Sequence, residues 1–161
     1  MFLNPRFNRM LITWFGAGNI KFAPGTFGSL FALPLCWCAA QYFEFPLKAC
    51  LLLGFTSLAI LCSAQDQIQT NNRDPGYIVI DEVAGMLAAT FLLTPNSSIW
   101  AYGCAFVLFR IFDIWKPYPA SVIDRASKTA STTLRRGAAI VLDDSMAGIY
   151  AALVLFLLKV K

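Results

Sequence analysis

Five long apolar runs, each carrying charge only near its ends, constrain this chain more than any other feature. They cover residues 29–45, 47–64, 77–94, 99–115 and 143–158. Each is 16–18 residues long, slightly short of the ~20 that an α-helix needs to cross ~30 Å of hydrocarbon. Pro46, Pro95 with Asn96, and Pro117 with Pro119 stand where such helices must stop or turn. The expectation is an all-α fold: one domain, residues 1–161, built as a compact bundle of about four to five short transmembrane helices with a polar site on one side. Composition agrees, because 58% apolar and 14% charged residues lie far from the ~45–50% and ~25% of an average soluble domain. Residues 1–21 mix Arg6, Arg9 and Lys21 with polar positions and do not read as a cleavable signal.

An up-and-down trace brings the starts of the first, third and fifth runs to the same face as the ends of the second and fourth. Ten of the thirteen basic residues fall on that face, and Lys48, Lys159 and Lys161 fall opposite. The positive-inside rule therefore assigns that face to the cytoplasm of a multi-pass protein. The basic excess is accounted for by the bilayer, and no nucleic acid partner is expected. The stretch Arg125 to Arg136 reads as a basic, Ser/Thr-rich cytoplasmic loop that touches anionic headgroups or covers an anionic substrate.

The same face gathers the chemistry. Asp81-Glu82 and Asp143-Asp144 each open an apolar run, where a helix dipole alone could justify them. Two such pairs facing each other carry enough negative charge to demand a cation. Histidine is absent from the chain, and the five cysteines, all in apolar stretches, are expected to be buried small hydrophobes. Oxygen ligands alone point to Mg²⁺, which takes one or two carboxylates and fills its shell with water and substrate phosphate. Asp74 is either a further ligand or a turn residue. Arg110, Asp113 and Lys116 recur every three residues and form one stripe that Pro117 ends, two cations for phosphate oxygens and an acid to fix them. Gly25-Thr26-Phe27-Gly28-Ser29 precedes the first run, so backbone amides, Thr26 and Ser29 could meet an anion there. Cys104 and Arg110 have the spacing of a cysteine phosphatase, but the residues between them contain no glycine and cannot cradle phosphate.

These motifs, in this order, resemble the phosphatidylglycerophosphatase A family: Pro24-Gly25-Thr26-Phe27-Gly28-Ser29, Asp74 to Gly85, Phe109 to Pro119 with Asp124-Arg125, and Leu142 to Gly148. The resemblance implies a bacterial inner-membrane, Mg²⁺-dependent lipid phosphatase that converts phosphatidylglycerophosphate to phosphatidylglycerol. Asp81, Glu82, Asp143 and Asp144 would then form the acidic metal site. Asp81, Glu82, Asp113 and Asp144 would serve catalysis, and Thr26, Ser29, Arg110, Lys116 and Arg125 would bind substrate. Attack by water and attack by an aspartate through an aspartyl-phosphate both fit the residues. The segment before Asp143 is glycine-rich in the family and here reads Arg135-Arg136-Gly137-Ala138-Ala139. A catalytically silent membrane interaction protein, a small transporter subunit and a soluble helical assembly are the competing classes. The sequence does not specify an oligomeric state.

Overall fold

The computed structural model describes residues 3–72 and 75–160, with the backbone path alone at residues 126–129. The described residues form α1 (Pro5–Ile12), α2 (Pro24–Tyr42), α3 (Phe45–Thr70), α4 (Ile80–Ala89), α5 (Ile99–Trp115), α6 (Ala120–Thr129) and α7 (Thr133–Leu157), plus a 3₁₀ turn at Ala17–Asn19 and no strand. The all-α expectation stands, but seven helices replace the five expected.

Each difference has a local cause. Helix α1 is polar on one side and so breaks the apolar pattern; Pro5 opens it, and the Asn4 side chain accepts the Arg6 N–H. The stretch read as a basic loop is helical except near residues 130–132, because Thr132 caps α7 by accepting the Arg135 N–H. Asp143-Asp144 therefore lies ten residues inside α7 and does not open a helix. Helix α2 starts at Pro24, so Gly25 to Ser29 forms its first turns and does not precede it. Helix α4 keeps only 10 residues of its run, about 15 Å at 1.5 Å per residue. Its end is turned over by the Thr90 hydroxyl, which donates to the Met86 carbonyl at 2.8 Å. The Lys48 ammonium then donates to the carbonyls of Phe91 (3.4 Å) and Leu93 (2.6 Å).

Every residue of α4 is buried, with α2, α3, α5 and α7 packed around it. The core against it is built largely from small side chains, including Ala32, Ala39, Ala105, Ala147 and Ala151, which let helix backbones approach closely. The tightest approach joins α4 to α7. A Cβ on Gly148 would overlap the Gly85 carbonyl oxygen and lie 2.8 Å from the Ala88 Cβ, while one on Gly85 would overlap the Phe109 ring and lie 2.9 Å from the Asp144 carbonyl oxygen.

The outer surface is apolar as well. Leu53, Leu61, Trp100, Ile114, Leu153 and Phe156 are each at least half exposed, and α3 and α7 are long and apolar enough to cross a membrane. Cys38, Cys50 and Cys104 face this exterior, correcting the expectation that all five cysteines are buried. When both the inside and the outside of a bundle are apolar, an apolar neighbourhood in the sequence does not tell them apart.

Gly148→Val should force α7 off α4 and destabilise the protein by about 1–3 kcal/mol or more, read as a lower midpoint of thermal unfolding in detergent. Gly54 and Gly103 have nothing within 4 Å of an added Cβ, so alanine at either should be neutral or stabilising by up to about 1 kcal/mol.

Candidate active site

The close packing of Gly85 on Gly148 also assembles the acidic groups. Asp81 stands four residues before Gly85, and Asp144 four residues before Gly148, one helical turn in each case. Both carboxylates therefore emerge just beyond the point where α4 and α7 touch. Asp81, Glu82, Asp113, Asp124, Asp143 and Asp144 line one cavity of about 230 Å³ together with Lys116 and Ile140. A larger groove, about 730 Å³, lies among Leu92, Leu155, Phe156 and Val160. It holds no acidic side chain and offers no comparable chemistry.

Two cations organise the cavity. Arg110 Nη1 donates to Glu82 Oε2 at 2.5 Å and lies 3.0 Å from Asp113 Oδ2. The Ser29 hydroxyl is 3.0 Å from the same Glu82 oxygen. Gly25 makes this approach possible, since a Cβ there would overlap the Glu82 carboxylate. Lys116 ends α5 in the left-handed conformation, with φ 46° and its N–H donating to the Phe112 carbonyl. Pro117 prevents the helix from continuing. The turn swings the ammonium across to α7, 2.5 Å from Asp143 Oδ2, 3.3 Å from Asp113 Oδ1 and 3.8 Å from Asp144 Oδ1. Burial by itself would lower the Lys116 pKa, but Asp144, Asp143 and Asp113 outweigh it and hold the ammonium above its ordinary value.

The acids nonetheless outnumber the cations. Glu82 belongs to Arg110 and Asp143 to Lys116, whereas among the described residues the Asp81 carboxylate accepts only the Glu82 N–H, at 3.0 Å. Asp144 has only the distant side of Lys116. Among the described residues no three acidic side chains converge tightly enough to enclose a metal ion by themselves. A divalent ion held by one or two carboxylates, with water and a phosphate completing its shell, suits this donor set: hard oxygens in excess, two of them without a cation of their own.

The expected site residues separate into those brought together and those left outside. Asp81, Glu82, Asp113, Asp143, Asp144, Arg110, Lys116 and Ser29 form one connected group. Thr26 is half-buried in the first turn of α2, next to Gly25. Arg125 is exposed on α6 and does not line the cavity. Asp74 lies outside the described residues. Asp124 and Ile140 line the cavity as well, beyond the expected set. Asp124 was visible in its Asp-Arg pair, whereas Ile140 carried no signal, being one more apolar residue of a helix.

A family profile described as phosphatidylglycerophosphatase A matches residues 10–159. The chain is similar to a protein named phosphatidylglycerophosphatase A from Escherichia coli (strain K12), 31% identical over 147 residues that cover 91% of this chain and 80% of the relative. It is also similar to a Haemophilus influenzae protein of the same name, 34% identical over 162 residues, covering 98% and 90%. A Bacteroides thetaiotaomicron relative, 33% identical over 154 residues and covering 91% of each chain, carries the provisional name phosphatidylinositol-3-phosphatase. No solved structure matches the chain.

Replacing Arg110 by methionine should leave Glu82 buried without its partner and destabilise the protein by about 3–5 kcal/mol. Adding Glu82→Gln to that variant should recover part of the loss, and the comparison of unfolding midpoints in detergent measures it.

Proposed function

The chain belongs to the phosphatidylglycerophosphatase A family, and on that premise we propose that it removes the terminal phosphate of phosphatidylglycerophosphate to leave phosphatidylglycerol. The reaction would take place at the cytoplasmic face of a bacterial inner membrane, with Mg²⁺ as cofactor. One observation carries the reading: two cations set among an excess of carboxylates, in one recess of a bundle with an apolar exterior. A phosphomonoester dianion needs cations to hold its oxygens and a base beside its phosphorus, and phosphoryl transfer depends on little else. An acidic cavity would repel that dianion, so the extra carboxylates make sense when a divalent ion neutralises them.

Asp81 and Asp144, with Glu82 or Asp143 in support, would hold the ion. When bound, Mg²⁺ would supply Lewis-acid stabilisation of charge on the phosphoryl oxygens. Arg110 and Lys116 hold the remaining non-bridging oxygens, and Asp113 keeps both cations in place from between them. A carboxylate of the cavity accepts a proton from water as the water oxygen bonds to phosphorus. The bond from phosphorus to the glycerol oxygen breaks, that oxygen takes the proton from the carboxylate and leaves as the free hydroxyl of phosphatidylglycerol, and the phosphoryl group departs as inorganic phosphate. The acyl chains remain along the apolar exterior throughout. A transport pathway would instead distribute ionisable groups through the depth of the bundle, and here they converge on one cavity.

Detergent-purified protein should release phosphate from phosphatidylglycerophosphate when Mg²⁺ is present and stop when EDTA removes it. Asp81→Asn and Asp144→Asn should each lower kcat by at least about 100-fold with helicity unchanged. Lys116→Ala should raise KM by about tenfold or more. Phosphatidylinositol 3-phosphate run in parallel tests the alternative headgroup, and turnover of that lipid alone would overturn the assignment to phosphatidylglycerophosphate. No release from either lipid by folded, Mg²⁺-supplied protein would favour the catalytically silent class.

A further inference from the structure

Arg136 is the feature that the proposed site does not use. Its Nε is sealed from solvent and has no hydrogen-bond partner among the described residues. No ion pair to its guanidinium is present among them either, although Arg110 and Lys116 are each paired with carboxylates. Its guanidinium thus carries one buried, unbonded N–H and no carboxylate partner among the described residues, which leaves it placed to receive an anion.

Its position connects it to the cavity. Arg136, Ile140 and Asp143 recur at intervals of four and three along α7 and so share one side of that helix. Ile140 and Asp143 line the acidic cavity. Arg136 is one turn beyond Ile140, about 10 Å along the axis from Asp143. At the same level α7 meets α3, since a Cβ on Gly137 would lie 2.9 Å from the Ile60 carbonyl oxygen and 3.1 Å from the Ala64 nitrogen. Ser63 and Gln67 stand there on consecutive turns of α3, 0% and 3% exposed. Neither the Ser63 hydroxyl nor either end of the Gln67 amide has a partner among the described residues. Buried polar groups are ordinarily satisfied. Three side chains with unpartnered polar atoms therefore flank the same contact between α3 and α7, one of them cationic and all three able to donate to a phosphate oxygen.

We propose that Arg136, with Gln67 and Ser63, forms a second phosphate-binding station next to the catalytic cavity. It rests on the reading of that cavity as a phosphomonoester site. The ligand is a phosphate group, either the phosphodiester that a glycerophospholipid substrate carries one glycerol away from its terminal phosphate, or the inorganic phosphate leaving for the aqueous side. The guanidinium supplies charge and a forked donor set, and the amide and hydroxyl supply neutral donors.

The test is equilibrium binding, independent of turnover, by the detergent-purified full-length chain as wild type, Arg136→Gln and Arg136→Lys. The probes are short-chain phosphatidylglycerophosphate, which has both phosphates, short-chain phosphatidic acid, which has only the monoester, and inorganic phosphate. If the diester is the ligand, Arg136→Gln weakens binding of phosphatidylglycerophosphate by about tenfold and leaves phosphatidic acid within about twofold. If free phosphate is the ligand, its dissociation constant rises by a similar factor while both lipids are unaffected. Arg136→Lys should recover part of either loss. Equal binding of all three probes by wild type and Arg136→Gln overturns the station. So does a uniform loss for all three accompanied by a lower unfolding midpoint, which would make Arg136 structural. Phosphate release is measured on the same samples: if phosphatidylglycerophosphate is not hydrolysed but the selective binding loss persists, the proposed reaction fails and the station stands.

Discussion

The contact of Gly85 on Gly148 is the constraint on which the rest of the structure depends. Two helices come together there with no side chain between them, and each carries an acidic residue one turn before the contact. Any other pair of residues would hold the backbones farther apart, and the carboxylates would lose their common cavity. Alanine-rich packing on the remaining sides of α4 serves the same end, because a helix buried on every face must be thin to be enclosed by four neighbours. Fold and site are thus consequences of one choice of residue size at two positions.

Electrostatics supplies the second constraint, and it opposes the first. Packing brings acidic side chains into a small, mostly buried volume, where their repulsion would open the bundle if nothing balanced it. Arg110 and Lys116 provide part of the balance from a single helix, one reaching Glu82 on α4 and the other Asp143 on α7. Asp113 lies between them and couples the two pairs. The remaining imbalance falls on Asp81 and Asp144, the two carboxylates that the proposed chemistry needs to be free. The imbalance is therefore located where a cation and a phosphate could use it.

Much of this was legible in the residues. The Arg110, Asp113 and Lys116 spacing predicts one stripe, and the structure joins the three by ion pairs, with Lys116 arriving from the left-handed turn that ends α5. The four carboxylates of the two acidic pairs were expected to meet, and they line one cavity. What was not legible follows from the breadth of the apolar signal. Apolar runs mark residues that avoid water but do not say where a helix begins. The apolar pattern therefore starts ten residues after α7 does, and it extends well past the short buried α4. Helices α1 and α6 leave no apolar run in the sequence because their polar faces interrupt it. Ser29 could be proposed from its motif, but the reason for Gly25 appears only when the Glu82 carboxylate is seen resting against it.

The brevity of α4 has a consequence for access. Ile80, at its start, packs in one cluster with Ala59 and Cys62 of α3 and Val141 of α7, yet α3 runs on to Thr70 and α7 begins at Thr133. Both neighbours overhang the first residue of α4 by roughly two turns or more, on the order of 12–16 Å. The carboxylates of α4 therefore lie below the ends of α3 and α7 and not flush with them. Chemistry at that depth would favour a phosphate on a slender stalk over one held flush against a folded surface.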